Sequence, residues 1–98
     1  MILSLAGSIR SPAANNGIYG LRPSSFRVPT EGWSCWPAGV DDIVGVIGPL
    51  SRDLDGIELF MRVIANDRPW LTEPALLPLR WVPYLVDPQR PLRIAILA

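Results

Sequence analysis

GSIRSPAANNGIYGLRPSS, residues 7–25, is the stretch from which the fold of this chain is read. Ser11 followed by Pro12 suits a helix start, since serine caps a first turn and proline is pre-set for it. Ala13 and Ala14 extend that helix, and Gly17 offers the left-handed residue that ends one. A one-turn helix is expected over residues 11–16, followed by a short buried strand over 18–21. Upstream, residues 2–7 are small and apolar and suit a tight buried turn. Downstream, residues 23–36 combine turn formers with tryptophans and are expected as loop.

Working outward, residues 43–47 form a β-branched apolar run closed by Gly48-Pro49, and a strand is expected there. Asp53 is a candidate N-cap for the main helix, expected over residues 54–65. Leu54, Ile57, Met61 and Ile64 fall at helical spacing, and Phe60 widens the stripe. Asp55 and Glu58 lie near its start, where the helix dipole favours negative charge. Gly56 weakens the first turn, and Asn66 and Pro69 stop the helix. Residues 69–91 form a proline-punctuated connector, and residues 92–97 are a further apolar run expected as a strand. Eleven prolines among 98 residues confine the chain to short elements joined by extended loops.

The alternation of strand and helix points to an α/β sheet. A parallel sheet needs cover on both faces, which one good helix does not supply. A buried-looking turn at one end and a buried-looking strand at the other add to this. The expectation is a piece of a larger α/β domain.

Composition excludes much chemistry. Nine arginines balance nine carboxylates, so no charged patch argues for nucleic acid or an anionic membrane. The chain contains neither lysine nor histidine. A Ser-His-Asp triad, a Schiff base and a phosphate loop with its lysine are thereby excluded within this chain. No metal site or cofactor is expected from one cysteine and scattered carboxylates. The single cysteine, Cys35, has no internal disulfide partner, which favours a reducing, cytoplasmic compartment. No apolar run reaches the length of a membrane span, and the first ten residues lack a secretory signal's basic start.

Leu5-Ala6-Gly7-Ser8-Ile9-Arg10 and Gly17-Ile18-Tyr19-Gly20-Leu21-Arg22-Pro23-Ser24 together resemble the amidase signature family. Gly48-Pro49-Leu50-Ser51-Arg52, followed by the helix, resembles a third block of that family. Residues 67–81 resemble its fungal, acetamidase-like branch. The resemblance covers nearly the whole chain. It implies a fragment of the family's mixed-sheet α/β/α sandwich, with short strands and one main helix. On that reading residues 4–25 form the nucleophile loop of a partial domain spanning residues 1–98.

The resemblance also implies a chemistry: hydrolysis of the carbon–nitrogen bond of a small carboxamide through an acyl-enzyme. Ser8 matches the serine nucleophile. The backbone N–H groups of Leu5, Ala6, Gly7 and Ser8 match the oxyanion hole, in which one donor is typically worth about 3–4 kcal/mol. Arg10, Gly17 and Gly20 match structural positions of the motif, with Arg10 expected in an ion pair or exposed. The family's base is a lysine relayed by a bridging serine, both upstream of the nucleophile. Only seven residues precede Ser8 here. A truncated or mis-spliced gene would explain their absence. The competing expectation is a non-catalytic remnant acting at most as a binding fragment.

Three departures from the family pattern stand out. Ser4 holds the place of the family's aspartate, and Arg22 that of a lysine. Phe26 holds the place of a glycine, where a positive φ would strain it. Trp33, Trp36, Trp70 and Trp81 are expected to pack loops onto the core rather than line a pocket.

Overall fold

The computed structural model describes residues 2–33, 44–83 and 94–95. Within them the chain is a small mixed α/β structure with short antiparallel strand pairs and one main helix. Strand β1 is Ile2–Ser4, helix α1 Arg10–Asn15, β2 Tyr19–Gly20, β3 Val46–Gly48, β4 Leu50–Ser51 and helix α2 Leu54–Asn66. A 3₁₀ turn, Pro69–Leu71, follows. Among the described residues no helix is long and apolar enough to cross a membrane.

Residues 46–51 are the spine of the structure. Their first half pairs antiparallel with β1, with Ile2 opposite Gly48 and Ser4 opposite Val46. Their second half pairs antiparallel with β2, with Tyr19 opposite Ser51 and Gly20 opposite Leu50. Gly48-Pro49 ends β3, as expected, and β4 begins directly after it in a second strand pair. Proline has no N–H to donate to a ladder, but its carbonyl still accepts. The Pro49 carbonyl takes the Leu21 N–H at 3.2 Å and so keeps the second pairing in line. The strand pairs described are antiparallel, because residues 2–4 and 19–20 both run against this spine.

Several boundaries move for physical reasons. The segment expected as a buried turn, 2–7, opens as β1 and turns only after Ser4. Helix α1 begins at Arg10, with Ile9 rather than Ser11 at the cap position and no side-chain cap. The Ser11 N–H donates to the Gly7 carbonyl at 2.9 Å, drawing Ser11 into the first turn. Pro12 is tolerated there because a first turn has N–H groups without helical partners in any case. At the other end Ile18 N–H bonds the Ala13 carbonyl and Gly17 N–H the Ala14 carbonyl. This pair of hydrogen bonds, with Gly17 at φ +63°, is a Schellman termination. The strand expected over 18–21 shortens to Tyr19–Gly20. Of the strand expected over 43–47, Ile43 lies outside the described residues, and β3 occupies Val46–Gly48.

Helix α2 is capped by Asp53, whose carboxylate accepts the Gly56 N–H at 2.6 Å. The Ser51 hydroxyl accepts from the Asp53 N–H and donates to the Asp53 carboxylate. A Cβ on Gly56 would lie 2.5 Å from Ser51 Oγ and 3.0 Å from Asp53 Oδ1. Glycine in this first turn therefore makes room for the cap, offsetting its poor helix propensity. Met61 and Ala65 are the buried residues of α2. Leu54, expected on the core stripe, is exposed, as are Leu59 and Val63 on the rest of the helix.

The core joins Val28, Ile47 and Met61, with Leu21, Phe60, Ile64 and Trp81 packed against it. Trp33 is exposed and Trp70 half-buried, while Trp36 and Cys35 lie outside the described residues. Residues 26–31 are tied to 73–77 by two contacts. The Glu73 carboxylate accepts from Thr30 N–H at 2.9 Å, Thr30 Oγ1 at 3.1 Å and Glu31 N–H at 3.2 Å. The Leu77 N–H donates to the Phe26 carbonyl at 2.8 Å. Phe26 itself sits at φ +63°. Of the connector expected over 69–91, residues 84–91 lie outside the described residues. Of the strand expected over 92–97, only Ile94 and Ala95 are described, and both are exposed.

Candidate active site

The turn between β1 and α1, residues 5–9, carries Ser8. Two neighbours in the sequence hold it in place. On one side Ser4, buried to 1% exposure, ends a strand fixed by pairing to Val46. On the other side Ile9 is fully buried. Ser8 lies between these anchors with its side chain exposed.

Ile9 is the anchor that sequence reasoning missed. Its Cγ2 lies 3.1 Å from where a Cβ on Gly20 would stand, and its Cδ1 lies 2.7 Å from that point on Gly48. Ala13 Cβ comes within 2.8 Å of the same point on Gly20. Real Cβ atoms do not approach so closely in a packed interior. The two glycines thus clear the socket into which α1 and Ile9 settle. The signal was present in the sequence as Gly20 and Gly48, but only the strand pairing shows that both face one residue.

Of the motif positions, Gly17 and Gly20 have distinct duties. Gly17 has open space around its absent side chain and is required by its φ; Gly20 is required by close packing. Arg10, at the start of α1, is exposed. Its side chain extends from the surface rather than into the core, one of the two outcomes expected for it.

The four amides of Leu5, Ala6, Gly7 and Ser8 follow one another along the turn. Gly7 adopts φ +125°, a conformation that side chains rarely tolerate. The Gly7 N–H donates to the Ser4 hydroxyl at 3.3 Å. Ala6 and Ser8 are exposed, and Leu5 and Gly7 half-buried. The turn therefore exposes Ser8, while the Gly7 amide is directed to Ser4. The chain supplies no lysine or histidine to act as base. A cavity at the far end of α2, lined by Ala65, Asn66, Arg68 and Arg80, involves none of these residues.

The family described as Amidase matches residues 5–98. A Schizosaccharomyces pombe protein named as a candidate amidase is 43% identical over 93 residues, covering 95% of this chain and 17% of that protein. The acetamidase of Aspergillus oryzae is 36% identical over 77 residues, covering 79% of this chain and 14% of its own length. The vitamin D3 hydroxylase-associated protein of Gallus gallus is 31% identical over 90 residues, covering 92% and 19%. The chain belongs to the amidase family. It spans between 14% and 19% of the length of these curated relatives.

Proposed function

We propose that this chain carries the nucleophile segment of an amide hydrolase, with Ser8 attacking the carbonyl of a small carboxamide. A serine hydroxyl becomes nucleophilic when a base removes its proton. The Ser8 oxygen would then bond the carbonyl carbon, and the carbonyl oxygen would take the negative charge. Backbone N–H groups of the 5–8 turn would stabilise that oxygen. Expulsion of the amine, which takes up a proton, leaves an ester on Ser8 that water cleaves to acid. The family's mixed-sheet α/β/α sandwich would surround the turn, and residues 4–25, 43–47, 54–65, 69–91 and 92–97 would be its segments.

The observation that carries this reading is the exposure of Ser8 on a turn pinned by buried Ser4 and Ile9. The base, a lysine with its bridging serine, would come from outside these 98 residues. Arg10, Gly17 and Gly20 would serve structure rather than chemistry. No cofactor is invoked, and the lone thiol supports a reducing compartment such as the cytoplasm.

One observation favours a non-catalytic alternative: the Gly7 N–H is already engaged by Ser4. A chimera separates the two. The matched segment of the Schizosaccharomyces pombe relative is replaced by residues 5–98 of this chain, and ammonia release from small amides is assayed. Turnover abolished by Ser8→Ala supports the hydrolase reading. A folded chimera without turnover, beside an active parent, favours the remnant.

A further inference from the structure

We propose that the Ser4 hydroxyl is a positioning group that holds the Gly7 amide in reserve, accepting its hydrogen bond until a stronger acceptor takes its place. The inference rests on the reading of the 5–8 turn as an oxyanion-binding segment.

Ser4 is the one polar residue among the buried side chains described, at 1% exposure. A buried hydroxyl requires a partner, and its position leaves it little choice of one. Antiparallel pairing with Val46 fixes its backbone at the end of β1. The chain then reverses, and Gly7 at φ +125° brings its N–H back over the strand end, 3.3 Å from Ser4 Oγ. Nothing lies within 4 Å of the ideal Cβ of Gly7, so glycine is required here by its φ rather than by crowding.

The length of that bond matters. At 3.3 Å it lies beyond the usual range for N–H···O contacts, so it satisfies the amide without holding it strongly. An anionic oxygen accepts shorter and roughly twofold stronger bonds than a neutral hydroxyl. An oxyanion formed on a substrate bound to Ser8 would therefore outcompete Ser4 for the Gly7 N–H. In the absence of substrate, Ser4 spares a half-buried amide the cost of an unmade bond. Ser4 touches no reacting atom in this scheme; it acts through Gly7.

Amide hydrogen exchange of the full chain, followed residue by residue, tests the assignment. Ser4→Ala removes the acceptor, and Gly7 exchange is expected to rise about 3–10-fold, the equivalent of one modest hydrogen bond. The amides of Ser11 and Ala13, bonded to the Gly7 and Ile9 carbonyls, report whether the turn and α1 survive. They should be unchanged. Ser4→Thr, which keeps the hydroxyl, should leave Gly7 as slow as in the parent. Three results overturn the proposal: Gly7 unaffected by Ser4→Ala, all three amides accelerating together, or threonine failing to restore protection. None depends on turnover, so loss of the hydrolase reading in the chimera would leave this test standing on its own.

Discussion

Ile9 Cδ1 lies 2.7 Å from the point where a Cβ on Gly48 would stand, which ties the turn that carries Ser8 to the central spine through one missing methyl group. The same point meets the Leu21 carbonyl oxygen and lies 2.9 Å from Pro23 Cδ. A backbone oxygen does not swing aside as a side chain can. Gly48→Ala must therefore move residues 21–23, Ile9 or β3. Overpacking of this kind costs about 1–3 kcal/mol. The urea midpoint followed by tryptophan fluorescence should fall accordingly, since Trp81 packs on the core. An unchanged midpoint would mean that the socket is looser than described.

The Asp53 cap offers an independent check on α2. Asp53→Ala removes the acceptor for the Gly56 N–H, and loss of such a cap typically costs about 0.5–2 kcal/mol. Circular dichroism should report weaker helicity and an earlier unfolding midpoint. Gly56→Ala, ordinarily favourable in a helix, should fail to stabilise because its Cβ would crowd Ser51 and Asp53. A gain in stability from that alanine would contradict the cap geometry.

Phe26 makes the opposite prediction. It adopts φ +63° and is 44% exposed, so it bears left-handed strain without being fully buried. The left-handed conformation costs a non-glycine residue roughly 1–2 kcal/mol. Phe26→Gly relieves that strain, while the looser unfolded chain and the lost contact area take part of it back. A net stabilisation of about 0.5–1 kcal/mol is expected in thermal or urea unfolding. A clear destabilisation would show that Phe26 contributes packing that outweighs its backbone.

Glu73 joins two segments more than forty positions apart in the chain, through Thr30 and Glu31. Glu73→Ala leaves two backbone donors without that acceptor. Because the contact is only partly buried, water recovers some of the loss, and about 1 kcal/mol is expected. The amides of Thr30 and Glu31 should exchange faster, with those of α1 unchanged. Equal acceleration throughout would make Glu73 a general stabiliser rather than a local tie.

These positions also show what the sequence could reveal. Asp53 and Gly17 act through local chemistry: a carboxylate three residues before the N–H it receives, and a glycine where a helix must reverse. Such features are readable along the chain. The positive φ at Phe26 followed from the residue that the family resemblance placed there. What escaped was non-local. Leu54 has the spacing of a core residue yet is exposed: Met61, Ile64 and Phe60 of the same stripe reach Val28 and Ile47, whereas Leu54 is the first residue of the helix and lies beyond that contact. Pro49 ends β3 as expected, but the second strand pair directly beyond it, with the Pro49 carbonyl bonded to Leu21, was not readable. The anchoring of Ile9 was not legible, because its role arises where Gly20 and Gly48 meet. Leu59 and Val63, one turn apart, are exposed on α2, and Leu54 is exposed at its start. Exposed hydrophobic surface of this kind favours association, so the isolated chain should show concentration-dependent aggregation in light scattering.

The most direct test of the account is the intact mass of protein treated with a fluorophosphonate probe, which reacts with activated serines. The 98-residue chain alone should gain no adduct, because it has no lysine or histidine to serve as base. The chimera that restores the missing segments should gain one adduct per molecule, at Ser8, and lose it in Ser8→Ala. Labelling of Ser8 in the chain alone, or an active chimera labelled elsewhere, would contradict the account.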